Sequence, residues 1–407
     1  MSLFGTVKPD VSVKVMIGKP GETPEILPAT LNLALRKVGV TVNYEAPSAF
    51  DLQFEAERYD DSNSGDEFPI LATGLLQAFS RVQIVATVDE TEKVLMDGYI
   101  TQLDVSMSAN FQNTISVKGE DISLKMDLFD VYAEFPTGQK PTDIVTTVLG
   151  NYQTLSITSD VNAPSGGEVE TNKPTQQRET DRKFVMGLAH ENDCIFYIEH
   201  GSSVGDNKAY WGPRKEATVT QKSLAINLGP GDNLESLSMA YNGLAATMTF
   251  GKYLDRTQSE AVQSMGAGSV VDDPTSSFYS TSAIPSSLSS LAESPDQYVQ
   301  KLSDLNVRGT LYEKGKTVGT NLPKAKDLVQ AATDRSVEKV VSGSGSLDTA
   351  KYGGFLEIRG KVDVRGAGDL FDGTYLVQQV THNINLDPTK SSYTQSFSLV
   401  RGGTGAT

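Results

Sequence analysis

Thiols are all but missing from this chain. Cys194 is the only cysteine in 407 residues, which excludes an internal disulfide framework and any thiolate-rich metal site. Histidine is nearly as scarce, at three residues, so imidazole chemistry has little to draw on. The lone tryptophan, Trp211, is a poor start for a sugar-binding platform, which favours exposed aromatic rings. No apolar run approaches the ~20 residues that cross a bilayer. The start, MSLFGTVKPD, has neither the basic nor the apolar region of a secretory signal. The expectation is a chain made and folded in the cytoplasm, or exported by a route the sequence does not show, without integral membrane contact. Positive charge is also in deficit, since 35 Lys and Arg face 51 Asp and Glu for a formal charge of −16. Gripping nucleic acid takes clustered Lys and Arg, so no specific nucleic-acid binding is expected. An acidic surface repels other polyanions and would suit a channel past which DNA or acidic cargo slides.

The composition is otherwise that of a soluble globular protein, 38% hydrophobic and 21% charged, with length for two or three cores. From Val11 to Asp130 the signals are mostly strands. Phe50, Leu52 and Phe54 alternate with Asp51, Gln53 and Glu55, the period of a half-buried strand. VQIVATVDE reads as another. Tyr99, Thr101, Leu103, Val105 and Met107 are expected on one face of a long strand. After the turn SAN, Phe111, Ile115 and Val117 alternate on its hairpin partner.

The texture then changes. Pro141 suits a first helical turn, and Ile144, Val145, Val148 and Leu149 form an apolar face ending at Gly150. Phe184, Val185, Leu188 and Ala189 repeat that spacing in TDRKFVMGLAHEN. CIFYIE reads as a buried strand and KAYWG as its return. Strands resume with SLSMAYNGLAATMTFG, a Ser-dominated stretch spans 275–290, a helix is expected over 324–340, and SGSGS reads as flexible. FLEIRGKVDV and YTQSFSLVRG close the pattern.

The expected organisation is mainly β with an α+β insert: two related antiparallel β-barrels linked by a small α+β domain. The first barrel takes 1–135 and the α+β domain 136–215. The second barrel takes 216–255 with 350–402, interrupted by a partly helical Ser-rich insertion at 256–349, and 403–407 is a tail.

Three motifs with chemical associations lack their context. GSSVG matches the G-x-S-x-G nucleophile pattern, with Ser203 central and His382 as a distant base. That motif works on a strand-to-helix turn, whereas here it falls between two strand candidates. HENDC resembles the zinc motif H-E-x-x-H but has Cys194 in place of the second histidine. His190, Cys194 and His200, with Asp193 or Glu191, would have to converge as ligands from a helix end and a strand. GTLYEKGKT has five residues between glycines where a phosphate loop needs four. No catalytic, cofactor or metal residue is assigned, and no cofactor is expected. The competing expectations are a hydrolytic enzyme and a carbohydrate-binding β module.

One phrase is written twice. DGYITQLDV begins at Asp97, Gly98 and Tyr99, and DGTYLVQQV at Asp372 and Gly373, with Tyr375 and Val377 a little further on. A glycine before a long alternating strand suits a bulge or bend, and a recurring strand–turn–strand unit suits an internal duplication. Both phrases, together with TQQRETDRKFVMGLAHENDCIFYIEH, resemble segments of phage late-control D and VgrG-type proteins. Gln177, Glu179, Asp181, Phe184, Leu188, Ala189, Phe196 and Tyr197 occupy the corresponding places. In FDGTYLVQQVTHNINLDPTKSSYTQSFSLVR the pattern runs through His382 to Arg401. The resemblance covers most of 1–255 and 350–402 in order.

That resemblance implies a non-enzymatic baseplate hub of a contractile tail or injection particle. It implies a homotrimer whose paired barrels adapt a hexameric inner tube to a trimeric spike, with other baseplate components as further partners. The chain ends at RGGTGAT without an OB-like domain or β-helix, so the spike is expected to be a separate protein. No lysozyme unit is recognisable, and none is expected to act on peptidoglycan.

Overall fold

The computed structural model describes residues 11–56, 68–108, 113–155, 157–164, 174–201, 203, 205–214, 221–245, 247–254, 263–267, 308–311, 332, 335–336, 338–387 and 391–402. The Ser-rich stretch at 275–290, most of the helix expected at 324–340, Phe111, the end of GTLYEKGKT and the tail lie outside these residues. Among the described residues no helix is long and apolar enough to cross a membrane.

Strands dominate, as expected. The first group is β1 (Val11–Gly18), β2 (Glu25–Ile26), β3 (Leu35–Asn43), β4 (Ala49–Ala56), β5 (Arg81–Val88), β6 (Thr91–Ser106) and β7 (Asn113–Asp121), with short helices α1 (Ala29–Ala34) and α2 (Pro69–Ala72) between them. The middle holds β8 (Asp130–Phe135), α3 (Pro141–Gly150), β9 (Ile157–Val161), β10 (Thr175–Thr180), α4 (Asp181–Glu191), β11 (Cys194–His200) and β12 (Asn207–Pro213). The last group is β13 (Leu224–Ala225), β14 (Leu234–Tyr241), β15 (Thr247–Leu254), β16 (Gln263–Ala267), β17 (Arg308–Leu311), β18 (Val341–Asp348), β19 (Lys361–Arg365), β20 (Gly373–Asn385) and β21 (Ser392–Arg401).

The first and last groups repeat one pairing scheme. The order β3-β4-β7-β6-β5 in the first is matched by β14-β18-β21-β20-β19 in the last, each neighbour antiparallel. In chain order the two sets use their strands identically, and a short helix comes after the second strand of each, α2 in one and Thr349–Tyr352 in the other. Two of the irregularities recur as well, while a third, opposite Ile84 and Val85 in the β5–β6 pair, belongs to the first set alone among the described residues. A bulge falls between Leu35 and Lys37 in β3 and between Leu234 and Ser236 in β14. Another falls between Ile100 and Gln102 in β6 and between Val377 and Gln379 in β20. A bulge adds one unpaired residue to one strand and re-aims the residues beyond it, so its recurrence at matching places is a structural fingerprint rather than a generic hairpin feature.

Three cores result. Leu31, Phe50, Leu52, Phe54, Ile84 and Ile100 anchor the first. Val145, Phe184, Phe196 and Trp211 anchor the middle one. Leu347, Tyr375, Val377, Phe397 and Leu399 anchor the last. The first and last cores nevertheless share a sheet of 13 strands, because β20 pairs β3 from Gln379↔Asn43 to Asn385↔Lys37. Ile384 and Tyr393 of the last group thereby enter the first core.

Several local expectations need correcting. Tyr99 does not share a face with Leu103 and Val105: the bulge at Thr101 puts Ile100 with them in the first core, while Tyr99 turns to the middle core. The bulge at Gln378 does the same in β20, where Val377 and Val380 share the last core and Leu376 faces the cluster of Tyr44 and Tyr197. SGSGS is not a flexible linker but the interior of β18. Its glycines exist because a Cβ on Gly343 would meet Met239 Sδ at 2.7 Å and one on Gly345 would meet the Ser236 carbonyl at 2.4 Å. This strand falls within 256–349, the span expected to be an insertion. SLSMAYNGLAATMTFG is two strands, β14 and β15, separated at Asn242–Ala245.

Candidate functional site

The candidate site is the set of signature residues and the contacts they hold together. Asp97 is 1% exposed. Arg81 donates Nε and Nη2 to its two oxygens at 2.8 and 2.7 Å, Gln83 adds Nε2 at 3.0 Å, and Asn207 of β12 donates Nδ2 at 2.8 Å. Burial alone pushes this carboxyl up, but the Arg81 contact and the two amide donors together hold it below its ordinary value. Asp97 therefore ties the first sheet to the middle unit. Gly98 has a steric reason: a Cβ there would sit 2.0 Å from the Glu120 carbonyl oxygen, so only glycine lets β7 close on β6. Tyr99 packs beneath Lys125, whose ammonium lies 4.5 Å from the ring centroid.

The second phrase is used differently. Asp372 precedes β20 and accepts from the backbone N–H groups of Ala367 and Gly366 at 2.7 and 3.2 Å, closing a turn. Gly373 has φ +137°, which favours glycine. Tyr375 donates its hydroxyl to the Phe371 carbonyl at 2.6 Å, and Arg401 lies over its ring at 4.8 Å while donating to the carbonyls of Asp372 and Leu370. Val377 is fully buried in the last core. The terminal arginine of the pattern thus pins the last strand to the turn before β20.

In the middle unit, Asp181 is 6% exposed and accepts from Gln177 Nε2 at 2.5 Å and from the Tyr152 hydroxyl at 2.6 Å. Burial and this carboxylate push the Tyr152 hydroxyl well up from its usual range. Thr180 caps α4, its hydroxyl accepting from Lys183 N–H. Glu179 contributes its carbonyl to Gln177 at 3.3 Å. Phe184 stacks on Phe135 with centroids 5.7 Å apart. Leu188 and Phe196 complete the core, and Trp211 donates its indole N–H to the Val185 carbonyl. Trp211 is thereby sealed inside and offers no exposed sugar platform.

Two arginines outside the signature residues also hold the units together. Arg182 in α4 is 8% exposed and pairs with Glu120 of β7 at 2.8 Å and with Asp127. Its sequence signal was an arginine on the helical face that also carries Val185 and Ala189. Arg359 lies where all three units meet. Its guanidinium stands 3.5 Å from the Tyr197 ring centroid and donates to the carbonyls of Asn43 and Tyr44. Burial pushes it down to about 10. Tyr44 and Tyr197 face it, and they form a small cluster with Ile195 and Tyr210, against which Leu376 packs. Nothing local in the sequence marks it.

The motifs with chemical associations are scattered. Ser203 is exposed in the hairpin between the antiparallel β11 and β12, accepting a backbone bond from Asp206, and not on a strand-to-helix turn. His382 is 2% exposed beside Tyr393, whose hydroxyl is 2.8 Å from Nδ1; burial, aided by Lys93, pushes the imidazole down to about 3. Cys194 is buried and donates to the Asn192 carbonyl. His200 is bonded to Asn207, and His190 is exposed on α4. Among the described residues no cluster of three or more His, Cys, Asp or Glu is placed to hold a metal.

No family model and no curated protein sequence matches the chain. Solved structures do. A 43 kDa tail protein of prophage MuSo2 from Shewanella oneidensis aligns over 96% of this chain and 99% of its own, with TM-score 0.60 and 15% identity. A tail protein from Neisseria meningitidis aligns over 96% of both chains with TM-score 0.60 and 9% identity. An E. coli component of the type VI secretion system, described as structurally similar to the bacteriophage T4 tail proteins gp27 and gp5, aligns over 90% of this chain and 73% of its own, with TM-score 0.50 and 12% identity. The chain carries the fold of these phage tail and type VI secretion proteins.

Proposed function

We propose that the chain is a baseplate hub: a homotrimer that joins a hexameric inner tube to a separate trimeric spike in a virion or phage-tail-like injection particle assembled in the cytoplasm. The observation that carries this reading is the repeated five-strand scheme, with matching bulges, inside one polypeptide. Three copies then present six similar units to a sixfold neighbour while keeping threefold symmetry toward the spike. The middle unit, from β8 to β12, is the brace between them, locked by Asp97–Asn207, Arg182–Glu120 and Arg359–Tyr197. The signature residues act as structural ties, and neither a catalytic nor a cofactor role is assigned to any of them.

The mechanism is mechanical. A sheet continuous through β20 and β3 passes load between the two repeats of a chain without a hinge. The charge of −16 would keep acidic cargo from adhering to the lumen. Native mass spectrometry of the purified chain, alone and mixed with its spike protein, should give three copies. A monomer in both samples would overturn the proposal.

A further inference from the structure

The repeat is incomplete in one respect. On β20 one edge is fully used: Gly373–Leu376 pairs β19 and Gln379–Asn385 pairs β3, while β21 takes the opposite edge. The equivalent edge of β6 is half used. Thr91–Tyr99 pairs β5, but among the described residues no strand continues along Gln102–Ser106. The equivalent of β3 is β14, and among the described residues it pairs β18 alone. The protein therefore has one internal junction of the type β20–β3, and the two halves of a second such junction stand apart as β6 and β14.

We infer that β14 of one copy of this chain adds to the open edge of β6 in a second copy, in the register of the internal junction. The matching bulges fix the correspondence. Residues Gln379–Asn385 of β20 correspond to Gln102–Ser108, and Lys37–Asn43 of β3 to Ser236–Asn242. Since Thr381 faces Thr41, His382 faces Val40 and Asn383 faces Gly39, the pairs across copies are Asp104 with Ala240, Val105 with Met239 and Ser106 with Ser238.

Side chains support this occupant. In the internal junction Ile384, 5% exposed, faces Val38 and enters the first core. Its counterpart Met107 is 70% exposed, and the counterpart of Val38 is Leu237, which lies at the margin of the last core with Met239. A second copy would bring Met107 onto Leu237 and finish the last core as Ile384 finishes the first. Neither edge carries the usual protection: Leu237–Ala240 has no Pro or charge, and Gln102–Ser106 has one charge, Asp104. Long unprotected edges are templates for strand addition. The two edges differ, so the contact is head-to-tail and closes as a ring or runs on as a filament. Closure at three copies rests on the hub reading; the strand pairing and its register do not.

The test places cysteines in the full chain as Asp104→Cys with Ala240→Cys, the pair equivalent to Thr41 and Thr381, whose hydroxyl oxygens are 3.1 Å apart. The only native thiol, Cys194, is buried. Mild oxidation should convert most of the protein into a covalent trimer on a non-reducing gel. The offset pair Asp104→Cys with Met239→Cys should cross-link at least tenfold less. Mixing the two single variants should give only covalent dimers. Cross-linked species of another number, or an open series, support the pairing and overturn threefold closure. A trimer by native mass spectrometry that never cross-links overturns the pairing and leaves the hub reading standing. A protein that stays monomeric at every concentration, cross-linked or not, overturns both.

Discussion

Replacing Asp97 is the sharpest probe of how the middle unit is held. Its carboxylate receives four hydrogen bonds, two from one guanidinium, and is 1% exposed. Asp97→Ala leaves Arg81, 17% exposed at its side chain, without its partner, and leaves the amides of Gln83 and Asn207 with one acceptor fewer. Removing one member of a buried ion pair costs about 3–5 kcal/mol. Asp97→Asn keeps the volume but points an N–H₂ at donors, for a loss of about 1–3 kcal/mol. Urea unfolding monitored by Trp211 emission is the assay, because Trp211 and Asn207 share β12. The pH dependence has a defined sign. The folded carboxyl is held below its ordinary value, so its stabilising contribution is fully present above the unfolded value of ~3.9. It disappears only as pH falls through the lower folded value. The deficit of Asp97→Asn should therefore be constant from pH 8 to about 4. A deficit below about 0.5 kcal/mol, or one that already closes between pH 7 and 5, would refute the reasoning.

Neighbouring contacts set the other expected outcomes. Gly98→Ala would drive a methyl to 2.0 Å from the Glu120 carbonyl and should cost several kcal/mol, about 3 or more, read as a lost or greatly lowered melting transition. His382, pushed down to about 3 by burial, should show no imidazole titration between pH 7.5 and 4.5 by proton NMR. Because its unfolded value is ~6.5, stability should fall as pH drops from that value toward 3, and His382→Gln should flatten that slope. Arg359→Ala removes the guanidinium from Tyr197 and from two carbonyls and should lower stability by about 2–4 kcal/mol. Arg359→Lys should recover less than half of it.

Much of this architecture is legible in the sequence wherever the signal is local. The alternation around Phe50 marks β4, Pro141 and Gly150 bracket α3, and CIFYIE with KAYWG form the β11–β12 hairpin. Period-two reasoning fails at Thr101 and Gln378, because one unpaired residue inverts every face assignment beyond it. SGSGS has the composition of a linker and the role of a strand, since its glycines answer neighbours distant in sequence, Met239 and Ser236. The β20–β3 ladder joins residues more than three hundred positions apart, and no local pattern encodes such a pairing. The repeated DG phrase points to the duplication for a reason that is only partly right. The bulge registers place Tyr99 opposite Leu376, so the two tyrosines are offset by one residue and face different cores. The pairing order, not the wording, is the part that repeats. Arg182 and Arg359 escape a local reading because their partners come from other units.

The most direct measurement of the central claim is electron microscopy of the purified assembly viewed down its axis. Three chains should appear as a ring of six similar β-rich lobes around an open lumen, alternating slightly in shape. A single chain, or a ring of three lobes with no internal likeness, would contradict it.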